Sequence, residues 1–286
     1  MDADEFLDEA LSSGLAPSNF REIYLEFREF QNLAIATLNE FAKVCKTNEI
    51  PYVLAYGSLL GAVRDGGQIP WDYDVDVFVP FEERQRLVDA LNHDLNANYY
   101  FYCPEINPKC RHEFIRIAPK GYRTEELHVD VFYLTGAPDD IEETKRLAKE
   151  IARLAKIRYF KLVDARYASY GRLKVYFYLI AQKLLYIFNS AQRNQDKFLE
   201  LCNMYATQTS QNNITADTFS KDYLFDSQGI WDMIEITTRD GIYKISSQYN
   251  EALTHVYGDY LKVPPLEARI KEVVRHYDRL TKFAKI

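Results

Sequence analysis

The sequence lacks the features that mark several common protein classes. No run approaches the roughly 18 uninterrupted apolar residues that a membrane-spanning helix needs, although 47% of the residues are hydrophobic. The N-terminal residues 1–14 combine no basic segment with an apolar one, so they do not resemble a signal peptide. The 4 cysteines show neither CxxC pairing nor zinc-binding spacing. We therefore expect a cytoplasmic protein whose reduced thiols pack in its core.

The chain also lacks the excess of positive charge that nucleic-acid-binding proteins carry. Its formal net charge is −7, with 42 acidic and 35 basic residues. Binding along a phosphate backbone rewards dense Lys and Arg, so nucleic acid is excluded as the main partner. An anionic substrate would have to be met by local cations, such as a metal ion, Arg64 or the basic residues around Arg116.

What the chain does contain is a dense motif at residues 55–79, AYGSLLGAVRDGGQIPWDYDVDVFV. It predicts a buried strand, a turn at Gly57-Ser58, a short helix and a second strand. Asp74 and Asp76 lie two residues apart, so their carboxylates share one face of that strand. Two neighbouring buried carboxylates are unfavourable unless a cation lies between them. Oxygen ligands suit Mg²⁺ or Mn²⁺, and Mg²⁺ commonly binds with substrate phosphates. The motif therefore predicts a metal-dependent enzyme for a phosphorylated substrate.

This arrangement of strand, Gly-Ser turn, short helix and Asp-x-Asp strand resembles the nucleotidyltransferase fold. More narrowly, residues 57–77, GSLLGAVRDGGQIPWDYDVDV, resemble the LicD/fukutin-related signature GSLLGAxRxxGxIPWDDDxDI. A second element, residues 257–265, begins Tyr-Gly-Asp-Tyr and ends Pro-Pro, and it is similar to that family's YGDYMxLPP. Tyr73 departs from the signature because it replaces the middle acid. We expect its side chain to point away from the face that carries Asp74 and Asp76.

The resemblance implies a third acid on a neighbouring strand, and the candidate is Asp130. This residue lies within an apolar run, where an unpaired carboxylate would be costly. Metal ligation together with Asp74 and Asp76 would explain it, whereas the alternative is a structural acid held by an arginine. Two metal ions could then clamp the attacking and leaving oxygens at phosphorus. Asp130 could also accept the proton of the incoming hydroxyl.

The resemblance also implies a set of substrate-binding residues around these acids. They are Gly57, Ser58, Arg64, Trp71, Asp72, Arg116, Tyr257 and Asp259. The turn would let backbone N–H groups hold phosphate oxygens, and Arg64 would bind the same phosphates unless it only complements a helix dipole. Trp71 would stack on a base or a choline-like cation, or pack beneath the metal-binding strand. Asp72 would orient a ligand or cap the strand. The residues from Tyr257 onward would line the acceptor site, unless Gly258 merely ends a helix.

The function implied by the resemblance is transfer of an alcohol phosphate, most simply phosphocholine, from a CDP-activated donor to a saccharide or glycolipid acceptor, with release of CMP. Mg²⁺ or Mn²⁺ would be the cofactor. One alternative is a nucleotidyltransferase that moves the NMP part of an NTP and releases pyrophosphate. Another, from a different class, is an inactive membrane-recruited module that binds a glycan or nucleotide.

Residues 172–188, RLKVYFYLIAQKLLYIF, have a helical period and an apolar, aromatic-rich composition with basic flanks. An interfacial helix on anionic lipid, at the inner face of the membrane, fits this pattern. A buried helix that covers the core fits it as well, and the sequence does not decide between them.

The predicted architecture is α+β, with a nucleotidyltransferase-like mixed sheet and helical additions at both ends. We divide the chain into an N-terminal helical segment (1–48), a catalytic core (49–140) and a mainly helical region with a small β-hairpin (141–286).

Overall fold

The computed structural model describes residues 1–217, 224–226 and 230–286. Its helices are α1 (Ala3–Ser12), α2 (Phe20–Thr47), α3 (Tyr56–Leu60), α4 (Arg84–Asp94), α5 (Ile141–Leu162), α6 (Ala165–Ala168), α7 (Leu173–Leu185), α8 (Ala191–Cys202), α9 (Tyr249–Tyr257) and α10 (Leu266–Phe283). Its strands are β1 (Val53–Leu54), β2 (Val75–Pro80), β3 (Tyr99–Tyr102), β4 (Ile115–Pro119), β5 (Val129–Ala137), β6 (Asn212–Thr215), β7 (Leu224–Asp226), β8 (Met233–Thr237) and β9 (Ile242–Ser246).

The core is a mixed sheet in the order β1-β2-β5-β4-β3. The β2–β5 pair is parallel and the other pairs are antiparallel. One edge of β5 is shared, because β4 pairs with its first half and β6 with its second half. Every residue of β5 is buried, as expected for a strand covered on both faces. The strands β8 and β9 form a separate hairpin. A mixed sheet between helical parts confirms the predicted α+β class.

The long helix α2 covers one face of the sheet. Its apolar residues repeat with a helical period, and the rings of Phe20, Phe27 and Phe41 are fully buried. Strands β2, β4 and β5 lie against it, and α10 packs along its other side. The N- and C-terminal helices therefore form one layer that supports the strands carrying the acids.

Two strands were not predicted from the sequence, one predicted element needs correction, and the division into segments remains untested. The strands β6 and β7 had no alternating pattern long enough to predict, and β6 joins the core sheet only because β5 leaves half of an edge free. The predicted turn at Gly57-Ser58 is wrong, because both residues lie within α3, which ends at Leu60 and is followed by a π-helical turn, Gly61–Asp65. The division into segments at residues 48 and 140 stays a prediction.

The cysteines and helices agree with two expectations. All 4 cysteines are buried and unbridged. Among the described residues, the helices are too short or too polar to cross a bilayer. The helix predicted at 172–188 is present as α7, but of its residues only Leu179 is buried, so the interpretation as a core-covering helix is wrong.

Candidate active site

The candidate site is a row of polar side chains that crosses four strands in register. Asp76 on β2 pairs with Asp130 on β5, Asp130 pairs with Arg116 on β4, and Arg116 pairs with Tyr102 on β3. Residues paired in register project to the same face of a sheet. Asp76 and Asp130, 54 positions apart in the sequence, therefore lie on adjacent strands about 5 Å apart at their backbones.

Asp74 and Asp72 extend the acidic row at the start of β2. The Asp74 amide donates a hydrogen bond to Asp72 Oδ1 at 3.2 Å. Burial, followed by repulsion from Asp72, raises the pKa of Asp74 to about 6, although its side chain still reaches the surface. Burial and then repulsion from Asp130 and Asp74 raise the pKa of Asp76 well above its usual value. Burial likewise raises the pKa of Asp72. These carboxylates therefore lack sufficient compensating positive charge.

Asp130 differs from its neighbours because two basic side chains hold it. Arg116 Nε donates to Asp130 Oδ1 at 2.8 Å, and His128 Nε2 lies 3.2 Å from the same oxygen. Burial alone would raise the pKa of Asp130, but Arg116 and His128 outweigh it and hold that pKa below its usual range. A carboxylate with a depressed pKa is a weak proton acceptor. Asp130 is thus held by an arginine, which was the alternative considered from the sequence, and it lies opposite Asp76 on the neighbouring strand.

The chemistry of this donor set fits a divalent cation in part. Asp74 and Asp76 offer hard oxygen ligands whose mutual repulsion a bound cation would relieve. His128 Nδ1 is buried and has no hydrogen-bond partner within the described chain. Among the described residues, no three His, Cys, Asp or Glu side chains converge as a ready ligand set, and Asp130 is already paired with Arg116. The fit therefore rests on Asp74 and Asp76, and ligation by Asp130 stays a prediction.

The first turn of α3, which contains Gly57 and Ser58, places the backbone beside these acids. Tyr56, not Gly57, adopts the left-handed conformation, with φ of 42°, which is uncommon for a residue with a large side chain. A Cβ at Gly57 would lie 3.2 Å from Asp72 Oδ2, a tight contact that a shift of a few tenths of an ångström in that side chain would relieve. The Asp76 amide donates to Ser58 Oγ at 2.9 Å. Ser58 therefore fixes the acidic strand to the turn, and phosphate binding by Gly57 and Ser58 stays a prediction.

Arg64 and Trp71 lie in a packed layer beneath the turn. Arg64 Nη2 pairs with Asp65 Oδ2 at 2.7 Å, and its guanidinium lies 5.6 Å from the Trp71 ring centre. The Trp71 ring also contacts Phe6 and Arg269, at 5.5 and 5.1 Å between centres. Trp71 is only 7% exposed, so its surroundings are those of a side chain that packs in the interior. Substrate binding by these two residues stays untested.

The loop that leads into β2 is held by residues far away in the sequence. Gln31 of α2 donates from Nε2 to the carbonyl oxygens of Ile69 and Asp72. On the other side, Arg239 in the β8–β9 turn donates from Nη1 to the Asp65 carbonyl at 2.6 Å. The Gln68 amide donates to the Asp240 carboxylate. The strand bearing the acids is therefore fixed by both the N-terminal helix and the C-terminal hairpin.

Gly61 offers a stability test of this loop. A Cβ at Gly61 would lie 2.5 Å from the Gly67 carbonyl oxygen. Alanine in an exposed helix gains up to about 1 kcal/mol over glycine, but overpacking against backbone costs about 1–3 kcal/mol. We expect Gly61→Ala to lower the free energy of unfolding by about 1–2 kcal/mol in urea denaturation. Gly57→Ala, whose Cβ has only a 3.2 Å contact, should cost less. Equal stability of Gly61→Ala and the wild type would contradict this close approach.

A second buried acid, Glu126, connects the site to the helical region. Its carboxylate is fully buried and accepts hydrogen bonds from Tyr167 Oη at 2.6 Å and Tyr170 Oη at 3.0 Å. Arg279 of α10 donates from Nε to the same carboxylate. Glu126 lies four residues before Asp130, so the α6 segment and the end of α10 are bound to the approach of strand β5.

A polar cavity of about 220 Å³ opens next to Arg116. In the order β2-β5-β4, Arg116 and the strand that Ser58 contacts lie on opposite sides of Asp130. The lining of the cavity includes Tyr102, Lys109, Arg111 and His112. Burial, followed by the charges of Arg116 and Arg111, lowers the pKa of His112 well below its usual value. Glu125 and Asp164 line the cavity too, so it offers permanent cations, two carboxylates and a neutral imidazole beside the row.

Tyr257 and Asp259 lie at the exposed end of α9. The Tyr257 side chain lines a small cavity together with Tyr56 and Phe78, which places it near the turn. Asp259 is exposed. Gly258 has φ of 66° and its amide donates to the Thr254 carbonyl, so the helix-ending role is realised here. The acceptor-lining role of Tyr257 and Asp259 stays a prediction. Tyr73 is buried against His276 and Phe27, as its alternation with the acids predicts.

Sequence reasoning missed Gln31, Glu126, Arg239 and Arg279. One signal for Gln31 was available, since Tyr24, Leu38 and Cys45 form a seven-residue repeat in which Gln31 is the polar member. The other three carried none, because their partners lie more than 40 positions away in the sequence.

Two comparisons with known proteins agree with this geometry. Residues 49–155 match the family described as LicD/FKTN/FKRP, nucleotidyltransferase domain. Over 257 residues, covering 85% of this chain and 94% of the relative, the sequence is 26% identical to "Lipopolysaccharide cholinephosphotransferase LicD" of Haemophilus influenzae. The matched domain contains Asp74, Asp76 and Asp130.

Proposed function

Because this chain belongs to the LicD family, we propose that it is a metal-dependent phosphotransferase that moves phosphocholine, or a related alcohol phosphate, from a CDP-activated donor to a glycan hydroxyl. The other product is CMP. The single observation that carries the proposal is the in-register row from Asp76 through Asp130 to Arg116. The name of the Haemophilus relative, which joins a cholinephosphotransferase activity to lipopolysaccharide, supports phosphocholine and a glycolipid acceptor.

Asp74 and Asp76 would hold Mg²⁺ or Mn²⁺, with Asp130 beside them. When bound, the ion would neutralise phosphate charge and polarise the bond to be broken. The raised pKa of Asp74 and the repulsion around Asp76 favour this assignment, because cation binding favours the ionised form of each carboxylate.

The protein's own side chains divide the site into two sides. Gly57 and Ser58, next to β2, would face the donor phosphates. The cavity beside Arg116 and Tyr102 would receive the acceptor, on the opposite side of Asp130. Arg116 would keep Asp130 ionised and oriented. Since this also weakens Asp130 as a base, its role would be to align the acceptor hydroxyl, whose proton would pass to solvent water late in the displacement.

The cellular setting follows from the same proposal. An acceptor that is a lipid-linked saccharide would bring the enzyme to the inner face of the membrane, with α7 as its contact.

Product analysis tests the proposal. We expect the purified protein to release CMP from CDP-choline in the presence of a saccharide acceptor and Mg²⁺, and EDTA to abolish the release until Mg²⁺ is restored. Separating nucleotides by chromatography distinguishes the products, because a nucleotidyltransferase acting on CTP would release pyrophosphate. CMP release that is unaffected by EDTA would refute the metal assignment. If the protein consumes CDP-ribitol or CDP-glycerol but not CDP-choline, the transferred group is not phosphocholine.

A further inference from the structure

The segment from Leu173 to Phe188 exposes an apolar surface. Seven of its large apolar side chains are more than half exposed, and Phe188 is 98% exposed. They are Leu173, Phe177, Tyr178, Leu184, Leu185, Ile187 and Phe188. Exposed apolar side chains grouped on one element mark a surface that another molecule covers. We call these seven residues the α7 surface.

The charged residues of α7 and of the sequence on either side of it have one sign. Between Asp164 and Asp196 the sequence contains no acidic residue and five basic ones, Arg166, Arg172, Lys174, Lys183 and Arg193. This local excess stands against the net charge of −7 for the whole chain. An apolar stripe flanked by basic side chains is complementary to anionic lipid headgroups above acyl chains.

The helix is held in place from below, so the surface is preformed. Leu179 packs with Val163 and Ala165 in a small separate cluster, and Lys183 Nζ donates to the Val163 carbonyl at 2.8 Å. At 13 residues, α7 is about 20 Å long, shorter than the ~30 Å hydrocarbon core of a bilayer. A helix of this length would lie in the interface and not cross it.

The α7 surface is also connected to the candidate site. The preceding helix α6 carries Tyr167, whose hydroxyl is bound to Glu126, and Tyr170 binds the same carboxylate just before α7 begins. Glu126 in turn leads into β5 and Asp130. Docking of α7 on a bilayer would therefore fix the distance between the acidic row and the lipid surface.

From these observations we propose that the α7 surface docks the protein on an anionic bilayer, where it meets a lipid-borne acceptor. The second clause rests on the proposed function, while the first stands without it. A symmetric dimer through the α7 surface is disfavoured, because it would bring the basic residues of one copy against those of the other.

Vesicle flotation tests the docking. We expect the full chain to float with vesicles of equal parts phosphatidylcholine and phosphatidylglycerol, and much less with phosphatidylcholine alone or at high salt. The vesicle–water partition coefficient of the double variant Phe177→Ser/Phe188→Ser should be lower by about ten-fold or more, because interfacial binding grows with buried apolar area. Leu25→Ser/Leu261→Ser removes two exposed leucines of other elements (54% and 64% exposed) and should float like the wild type.

Three outcomes would overturn the proposal: no flotation of the wild type with anionic vesicles, equal flotation of the Phe177→Ser/Phe188→Ser variant, or a dimer in sedimentation velocity that this variant abolishes. A water-soluble saccharide acceptor separates this inference from the proposed function. The variant should keep wild-type CMP release with that acceptor and lose it with an acceptor embedded in vesicles. Wild-type protein that floats but releases no CMP with either acceptor would leave the docking intact and refute the proposed function.

Discussion

Asp76→Asn is expected to reduce CMP release by about 10³-fold or more, equivalent to about 4 kcal/mol of transition-state stabilisation. The substitution removes a carboxylate from the centre of the acidic row while it keeps the shape of the side chain. Steady-state turnover with CDP-choline measures the loss, and Asp8→Asn, at an exposed position of α1, is the control with the same change of charge.

The same variant should remain folded. Burial and the neighbouring carboxylates of Asp130 and Asp74 disfavour the ionised form of Asp76, so a neutral amide relieves repulsion. We expect the metal-free variant to unfold at the same temperature as the wild type or a higher one, and to lose the stabilisation that Mg²⁺ gives the wild type. Turnover equal to that of the wild type would remove Asp76 from the metal site. Unfolding of the variant would show that the carboxylate is structural.

Asp130→Asn should separate binding from transfer. The amide retains one acceptor oxygen for Arg116 but loses the charge that pairs with Arg116 and His128. We expect transfer to fall by about 10²–10³-fold, with the dissociation constant for CDP-choline within about three-fold of wild type, because the proposed function places the donor on the Ser58 side. Isothermal titration with Mg²⁺ and CDP-choline measures the second quantity.

Asp139→Asn, at an exposed residue just after β5, controls for the change of charge. Circular dichroism must show a folded variant, since a lost partner of a buried arginine can cost several kcal/mol. A variant that binds the donor much more weakly yet turns over normally at saturation would place Asp130 on the donor side. Unchanged transfer would make it purely structural.

Much of this site could be predicted because its information is local. Alternation along β2 placed Asp74 and Asp76 on one face and Tyr73 on the other, as the structure confirms. The apolar run around Asp130 predicted a buried strand, and its similarity to a known signature supplied the pairing with β2. Neither signal depends on the rest of the chain.

The remaining features depend on which distant segments meet. Nothing near Asp130 indicates that Arg116 and His128 would both bind it, so its depressed pKa was not predictable. The left-handed conformation falls at Tyr56 and not at the neighbouring glycine, Gly57, where composition alone would place it. The period of residues 172–188 is the same in a buried and an interfacial helix. In the described part of the chain Leu179 is the only buried residue of α7, and this fact, which argues against the buried helix, depends on the surrounding fold.

The clamp on the loop before β2 has a consequence for dissecting this protein. A fragment of residues 49–155 would contain every acid of the row but neither Gln31 nor the Arg239-Asp240 turn, whose contact with Gln68 joins positions 172 apart. Such a fragment would lack the contacts that fix the loop before β2, so it could form the sheet and still misplace the carboxylates of β2. Grafting or trimming of this domain should therefore preserve both distant supports.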